Sequence, residues 1–338
     1  MEFKFQTEVN IPPYHWTTGY HKWNLFIGSC FTENIGSRME TIKVPVEMNP
    51  FGILYNPVSV ANSIRILLQQ RMMTKRDLIE HQGLWHSFFH HSRFSTGSPE
   101  KTLEGVNSRI ETSARFLRKT HFLFLTFGTA WIYKYNPTGE VVSNCHKIPE
   151  KHFTRLRLTP TDIVEDYRKL LPEIWKIQPD LKVVFTVSPI RHWKDGAMEN
   201  QRSKAVLLLA IENLIKEFGL KQCNYFPAYE IVMDELRDYR FYEADMVHPS
   251  QVAIRYIWEK FKSALFDNES QKISLEVEKL ISRFNHKPFN RFSPEHLDFL
   301  QKSMLKVQRL QKKIPYLDLS NESINIKEQI NKIKKGIN

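Results

Sequence analysis

Three short, unbroken apolar runs constrain this chain most: Trp23 to Ile27, His121 to Phe127 and Lys182 to Val187, each ending at a Gly or Ser turn. None alternates polar with apolar, so each reads as a strand buried on both faces. The segments between them carry helical periodicity. A helix is expected from about Val58 to Gln70, with Asn56 as its cap, Pro57 first, and Ile64, Leu67 and Leu68 on one face. A second runs from Ser98 to about Arg118. Thr159-Pro160-Thr161-Asp162 opens a third, with a capping residue, Pro at N1 and an acid at N3. A fourth spans about Arg202 to Phe218 and stops at Gly219, and a fifth starts with Pro249 and runs to about Phe266. Cys223 to Pro227 reads as a short fourth strand. Strands alternating with helices of this length call for an α/β fold with a mostly parallel sheet covered on both faces, a three-layer α/β/α sandwich.

Some stretches depart from this rhythm. Residues 1–20 read as an extended arm, and residues 41–57, with three Pro, as a loop. Residues 131–147 alternate and turn at Asn136-Pro137-Thr138-Gly139, the pattern of a β-hairpin inserted after the second strand. Residues 81–96 have no clean period. The chain from about 269 to 338 is helical in pattern and rich in Lys, a C-terminal helical extension to a main domain of residues 1–268.

In an α/β fold the residue just after a strand sits at the carboxyl edge of the sheet, where ligands bind. Gly28-Ser29-Cys30 occupies that place after the first strand. A Ser hydroxyl attacks an ester only with a base in reach. Ala244-Asp245-Met246-Val247-His248-Pro249 supplies one: Asp245 is close enough in sequence to fold back onto the His248 Nδ1–H and fix its tautomer. Pro249 suggests that His248 lies at a helix N-terminus, whose dipole would keep the ring neutral. Cys30 is a competing nucleophile, or a small buried residue.

The two segments together resemble the SGNH hydrolase superfamily, and within it the GSCFA family, whose name-giving motif stands as Gly28-Ser29-Cys30-Phe31-Thr32. Asn49-Pro50-Phe51-Gly52, Leu125 to Trp131, Ser143 to Lys147, Ser188 to His192 and Arg237 to Tyr242 also look like that family. The resemblance runs from about residue 20 to 265. It implies a flavodoxin-like sheet and a catalytic set of Ser29, Asp245 and His248. It also implies oxyanion donors from the Ser29 N–H, from Gly52 and from Gly128. The superfamily's Asn donor aligns with Ala130, so Asn144 is the substitute expected from the inserted hairpin; its alternative role is to cap the turn. Cys30, His91, Trp131, His146, Arg191 and His192 are expected to line the substrate pocket. A surface turn is the alternative reading of Arg191 and His192, and Arg237 to Arg240 read most economically as an ion-pair and stacking network.

His86, His90 and His91 cluster among Phe88, Phe89 and Phe94, but without the acidic or Cys spacing of a metal site; a pocket wall or lid is expected, and no metal. The absence of Gly-rich phosphate loops argues against nucleotide cofactors, and no cofactor is expected. Net charge is +11, and residues 301–338 hold nine Lys or Arg against three Asp or Glu. Such a tail can bind nucleic acid or an anionic surface, although no nucleic-acid motif accompanies it. No run of 18 apolar residues occurs, the first residues lack a signal-peptide pattern, and the three Cys do not form a disulfide framework. A cytoplasmic protein without a membrane span is expected. The expected function is a serine esterase or deacylase of small O-acyl esters on carbohydrate. Acyl transfer by the same triad, or a binding protein docking through its basic tail, are the alternatives.

Overall fold

The structure is a computed structural model, and it describes residues 6–284 and 289–337. The first five residues of the expected arm, and residues 285–288 and 338 of the extension, lie outside the described residues.

The strands are β1 (Asn24–Gly28), β2 (Val46–Met48), β3 (Leu78–His81), β4 (Leu84–Ser87), β5 (Phe122–Phe127), β6 (Trp131–Tyr135), β7 (Val141–Val142), β8 (Phe153–Arg157), β9 (Lys182–Val187) and β10 (Cys223–Tyr225). The helices are α1 (Cys30–Thr41), α2 (Pro57–Gln69), α3 (Pro99–Leu117), α4 (Pro160–Ile177), α5 (Gly196–Phe218), the single turn α6 (Ala228–Glu230), α7 (Gln251–Leu265), α8 (Asn268–Phe284), α9 (Pro294–Lys313) and α10 (Ser320–Ile337).

The main sheet has five strands in the order β10-β9-β5-β1-β2, all parallel. In chain order its strands lie second, first, third, fourth, fifth, which is the flavodoxin-like arrangement. Alternate residues of each strand feed opposite faces. Leu25, Ile27, Leu123, Leu125, Val183 and Phe185 join the core built with α2 to α5. Phe26, Phe122, Phe124 and Val184 join the core built with α1 and α7. Phe26 stacks on Phe124 with ring centroids 4.2 Å apart. This two-sided burial is why the runs are apolar throughout.

Helices α2 and α4 form where their caps stand. Asn56 accepts the Ser59 N–H at the start of α2, and Thr159 and Asp162 close a reciprocal capping box on α4. Four readings are corrected. Residues 46–48 of the expected loop form β2, an edge strand. The unpatterned stretch at 81–96 contains part of the antiparallel β3–β4 hairpin, turning at Gln82 and Gly83, both with positive φ. The inserted hairpin acquires a third strand, β8, on the other side of β6. Helix α5 starts at Gly196, six residues earlier than the apolar period suggests. Helices α8 to α10 bury Val277, Leu280, Leu300, Val307, Leu310 and Ile326 in the same core as α1 and α7. Among the described residues no helix is long and apolar enough to cross a membrane.

Candidate active site at the carboxyl edge of the sheet

The strand order reverses between β1 and β5, and open α/β sheets bind ligands at such a reversal, outside the strands' carboxyl ends. Gly28 ends β1 with φ near 150°, and a Cβ there would lie 2.2 Å from the Thr126 carbonyl oxygen, so no other residue fits. The Gly28 N–H donates to Asn49 Oδ1 at 2.9 Å, and the Asn49 N–H donates to the Phe26 carbonyl at 2.9 Å. Ser29 follows as the cap residue of α1, in extended conformation, yet its side chain makes no cap bond. Its Oγ is buried and without a hydrogen-bond partner. A buried unpaired hydroxyl costs about 1–3 kcal/mol, so its retention asks for a reason.

His248 sits on the loop before α7. Asp245 Oδ1 accepts the N–H groups of Val247 and His248 at 2.9 Å each, and Oδ2 lies 2.6 Å from His248 Nδ1. Met246, at φ 59°, makes the tight turn between them. The His248 N–H, then the His248 ring, then the Val247 N–H hold the Asp245 carboxyl down at about 2. An ionised carboxylate only accepts, so Nδ1 carries the shared proton, and in the neutral form of the ring Nε2 keeps its lone pair. Both side chains are half-exposed. The expected helix dipole at His248 is corrected. Ser250 is the cap of α7, accepting the Ala253 N–H, while Pro249 bridges to Tyr242. The helix therefore begins beyond the ring.

The expected oxyanion donors are already engaged. The Ser29 N–H donates to Thr126 O at 3.2 Å, Gly52 N–H to Asn49 O at 2.8 Å, and Gly128 N–H to Tyr55 O at 2.7 Å. The Asn144 side-chain carbonyl accepts the His146 N–H at 2.9 Å, closing an Asx turn. Gly52 serves close packing: a Cβ on it would meet the His91 Cβ at 2.2 Å. As a nucleophile Cys30 is poorly placed electrostatically. Burial pushes its thiol up despite the N–H groups of Cys30 and Phe31 at the start of α1.

Helix α5 ties the loops after β5 and β9 together. Lys204 is fully buried and donates to Gly128 O at 2.6 Å and Ser188 O at 2.7 Å. Ser203 Oγ accepts the Ala130 N–H at 2.8 Å, and Asn200 Oδ1 accepts the His192 N–H at 2.9 Å. Burial, then the Lys204 charge, lowers His192 to about 4, so its ring is neutral. His192 lies near enough to His248 for a charge on that ring to lower it further, and it packs edge-on against Tyr55, at 5.2 Å between centroids. Sequence reasoning missed Asn49 and Lys204 as site-building residues. A signal existed for the second: Asn200, Ser203 and Lys204, at i, i+3 and i+4, interrupt the apolar face continued by Leu207 and Ile211.

The remaining expected pocket residues divide. Trp131 lies under the Arg155 guanidinium at 4.2 Å, with Arg155 held by Asp195, a residue whose charge reaches His192. His146 stacks on His86 at 4.4 Å and directs Nε2 to Ser87 O at 2.9 Å, so it braces the hairpin against the small sheet. Burial lowers His146 to about 4 and His90 to about 3. Among the described residues no group of three or more His, Cys, Asp or Glu is arranged to hold a metal ion. Arg237 and Arg240 do form ion pairs, with Asp234 and Asp238, but these face solvent and contribute little.

Ser29, uncommitted at the end of β1, and the Asp245–His248 pair on the loop before α7 are carried on a parallel five-stranded α/β fold. The chain belongs to the GSCFA family: the model of that family matches residues 24–261, and that of the GSCFA domain protein, C-terminal domain, matches residues 277–332. A search of the curated proteins found no match. Among solved structures, a carbohydrate esterase family 3 protein from Talaromyces cellulolyticus aligns at 8% identity and a TM-score of 0.35, over 76% of this chain and 99% of that one. An acetyl xylan esterase, Est2A, from the rumen bacterium Butyrivibrio proteoclasticus aligns at 11% identity and 0.37, over 75% and 64%. Likenesses of this size carry no functional argument.

Proposed function

We propose that this protein is a serine esterase that removes small O-acyl groups, acetyl foremost, from carbohydrate. Ser29 Oγ attacks the ester carbonyl while His248 Nε2 takes its proton. Collapse of the tetrahedral intermediate expels the sugar alkoxide, which His248 protonates, and leaves acyl-Ser29. Water, activated by the same Nε2, then releases the acid. Asp245 stays ionised throughout and stabilises the imidazolium. The observation that carries this reading is the 2.6 Å contact of Asp245 with His248 Nδ1, which leaves the opposite ring nitrogen as a base.

Ser29 Oγ and His248 are not hydrogen-bonded in this structure. The exposed His248 loop is proposed to close on substrate, as catalytic contacts often tighten only in the complex. With the family's expected N–H donors engaged, the N–H groups of Cys30 and Phe31 at the start of α1 are proposed to face the developing oxyanion, because helix geometry leaves them without intrahelical acceptors, whereas the Thr32 N–H already donates to the Ser29 carbonyl at 2.9 Å. The acetyl group and the sugar come from the superfamily resemblance. Transfer of the acyl group to a sugar hydroxyl instead of water would use the same residues.

Intact mass after treatment with a fluorophosphonate tests the nucleophile. One adduct on wild type is expected, mapped to Ser29, absent in Ser29→Ala and reduced by a factor on the order of a thousand in labelling rate in His248→Ala. An unlabelled wild type, or labelling indifferent to His248, would sink the esterase reading.

A further inference from the structure

The loop that carries His248 also walls a cavity. A cleft of about 290 Å³ lies between the segment after β9 and the chain from Val232 to Val247, and Met246 and Val247 form part of its wall. Two guanidinium groups line it, Arg191 and Arg237, with three aromatic rings, Trp193, Tyr239 and Tyr242. The rings are unusually open: Trp193 is 52% exposed and Tyr239 73%. Large rings left in water beside a reactive loop mark a contact surface, and flat amphipathic rings suit the apolar face of a sugar.

The charges of the cleft are not equivalent. Arg237 is paired with Asp234 at 3.1 Å, and the one acidic lining residue, Asp238, is paired with Arg240 at 3.5 Å. Arg191 is half-buried, and the contact of its guanidinium is with the Met233 sulfur at 3.3 Å. No carboxylate lies within ion-pair distance of it among the described residues. The Lys204 charge is near enough to be felt and adds positive potential. A partly desolvated guanidinium without a counter-ion gains most from an arriving anion, and its planar fork matches a carboxylate.

We propose that this cleft seats a sugar ring bearing a carboxylate, as in a uronic acid. The ring rests on the aromatic wall, and its carboxylate is gripped by Arg191. The ester on the same sugar then lies toward His248. The inference rests on the esterase reading and narrows its substrate to acylated acidic glycans.

Calorimetric titration of Ser29→Ala protein with methyl glucuronide and methyl glucoside tests it without requiring turnover. The glucuronide is expected to bind about tenfold more tightly or better. Adding Arg191→Gln should erase that difference, and Arg191→Lys should keep part of it. Trp193→Ala should weaken both sugars together, an effect that loss of the Arg191 charge alone would not produce. Unchanged melting temperatures confirm that each variant is folded. Equal affinity for the two sugars, binding of neither, or a preference that survives Arg191→Gln overturns the proposal. An unlabelled wild type in the fluorophosphonate experiment would instead overturn the esterase reading and leave this result standing on its own.

Discussion

Lys204 brings its ammonium group into the layer beneath the carboxyl edge of the sheet, where it meets two carbonyl oxygens and is fully buried. Burial lowers it to about 7, against an ordinary value of 10.5. The folded protein therefore gives up this proton more readily than the unfolded chain. Between about pH 7 and 10.5 the unfolded state binds a proton that the folded state has released, so this group's contribution to stability grows as pH rises. It is complete above about 10.5 and absent below about 7. Lys204→Met removes the titration. The melting temperature of wild type minus that of Lys204→Met should therefore increase steadily from pH 7 to pH 10. A flat or falling difference would mean that the charge is better accommodated than its burial implies. At this scale the sequence was legible where chemistry is local. Asp245 and His248 are three residues apart, so their contact needs no knowledge of the fold. The engagement of the Ser29 and Gly128 N–H groups was not legible, because it depends on Thr126 and Tyr55 arriving from elsewhere in the chain. Lys204 was hidden for a related reason: a Lys on an amphipathic helix reads as solvated until tertiary packing buries it.

At the scale of elements, helix caps decided what could be read. Thr159 donates its N–H to Asp162 and accepts the Asp162 N–H in return, so α4 starts where the sequence says it should. Thr159→Ala should lose about 1 kcal/mol of stability, read in a denaturant titration, with the rate of Ser29 labelling unchanged. The box lies at the exposed start of a helix, and its two side chains bond within the box. A larger loss, or an effect on labelling, would show that α4 also positions the loops above the sheet. At α5, whose cap makes no side-chain bond, the boundary was misread. Asp195 opens α5 without one, and Met198 at the exposed start gives no apolar period, so the first turns were invisible. Strand β2 has only three residues at a sheet edge, and β8 leaves four of its five side chains half-buried or exposed. Neither has an inner face long enough to impose a pattern. The long buried strands β5 and β9 do, because both their faces are covered.

The whole molecule ties its basic C-terminal helices to the half that holds the parallel sheet more closely than their composition suggests. Glu278 of α8 accepts from Trp258 Nε1 at 3.3 Å and from Lys262 Nζ at 2.7 Å, both on α7. Tyr316 packs on His21 at 4.1 Å between centroids, and Glu322 pairs with Lys43 at 2.7 Å. The aliphatic side chains of α8 to α10 belong to the same core as Phe26 and Phe124 of the sheet. Each large apolar side chain returned to water costs about 1.5–3 kcal/mol. A domain of ordinary stability has only about 5–15 kcal/mol to lose. Truncation after residue 268 would uncover Trp258 and Tyr20 on the main domain, and uncovering a handful of such side chains reaches that range. The truncated protein should therefore be insoluble or, if soluble, should melt well below wild type and bind a hydrophobic dye that the full chain ignores. A truncated chain that melts normally and still labels at Ser29 would make the extension a separate appendage. The charge of these helices is a different matter from their packing. A groove of about 320 Å³ between α8 and α9 is lined by Lys279, Arg283, Lys306, Arg309 and Lys313 against Glu276 alone. Deleting residues 301–338 would remove this groove and part of the core together, so anion binding by the tail is separable from folding only when its exposed cations are replaced one by one.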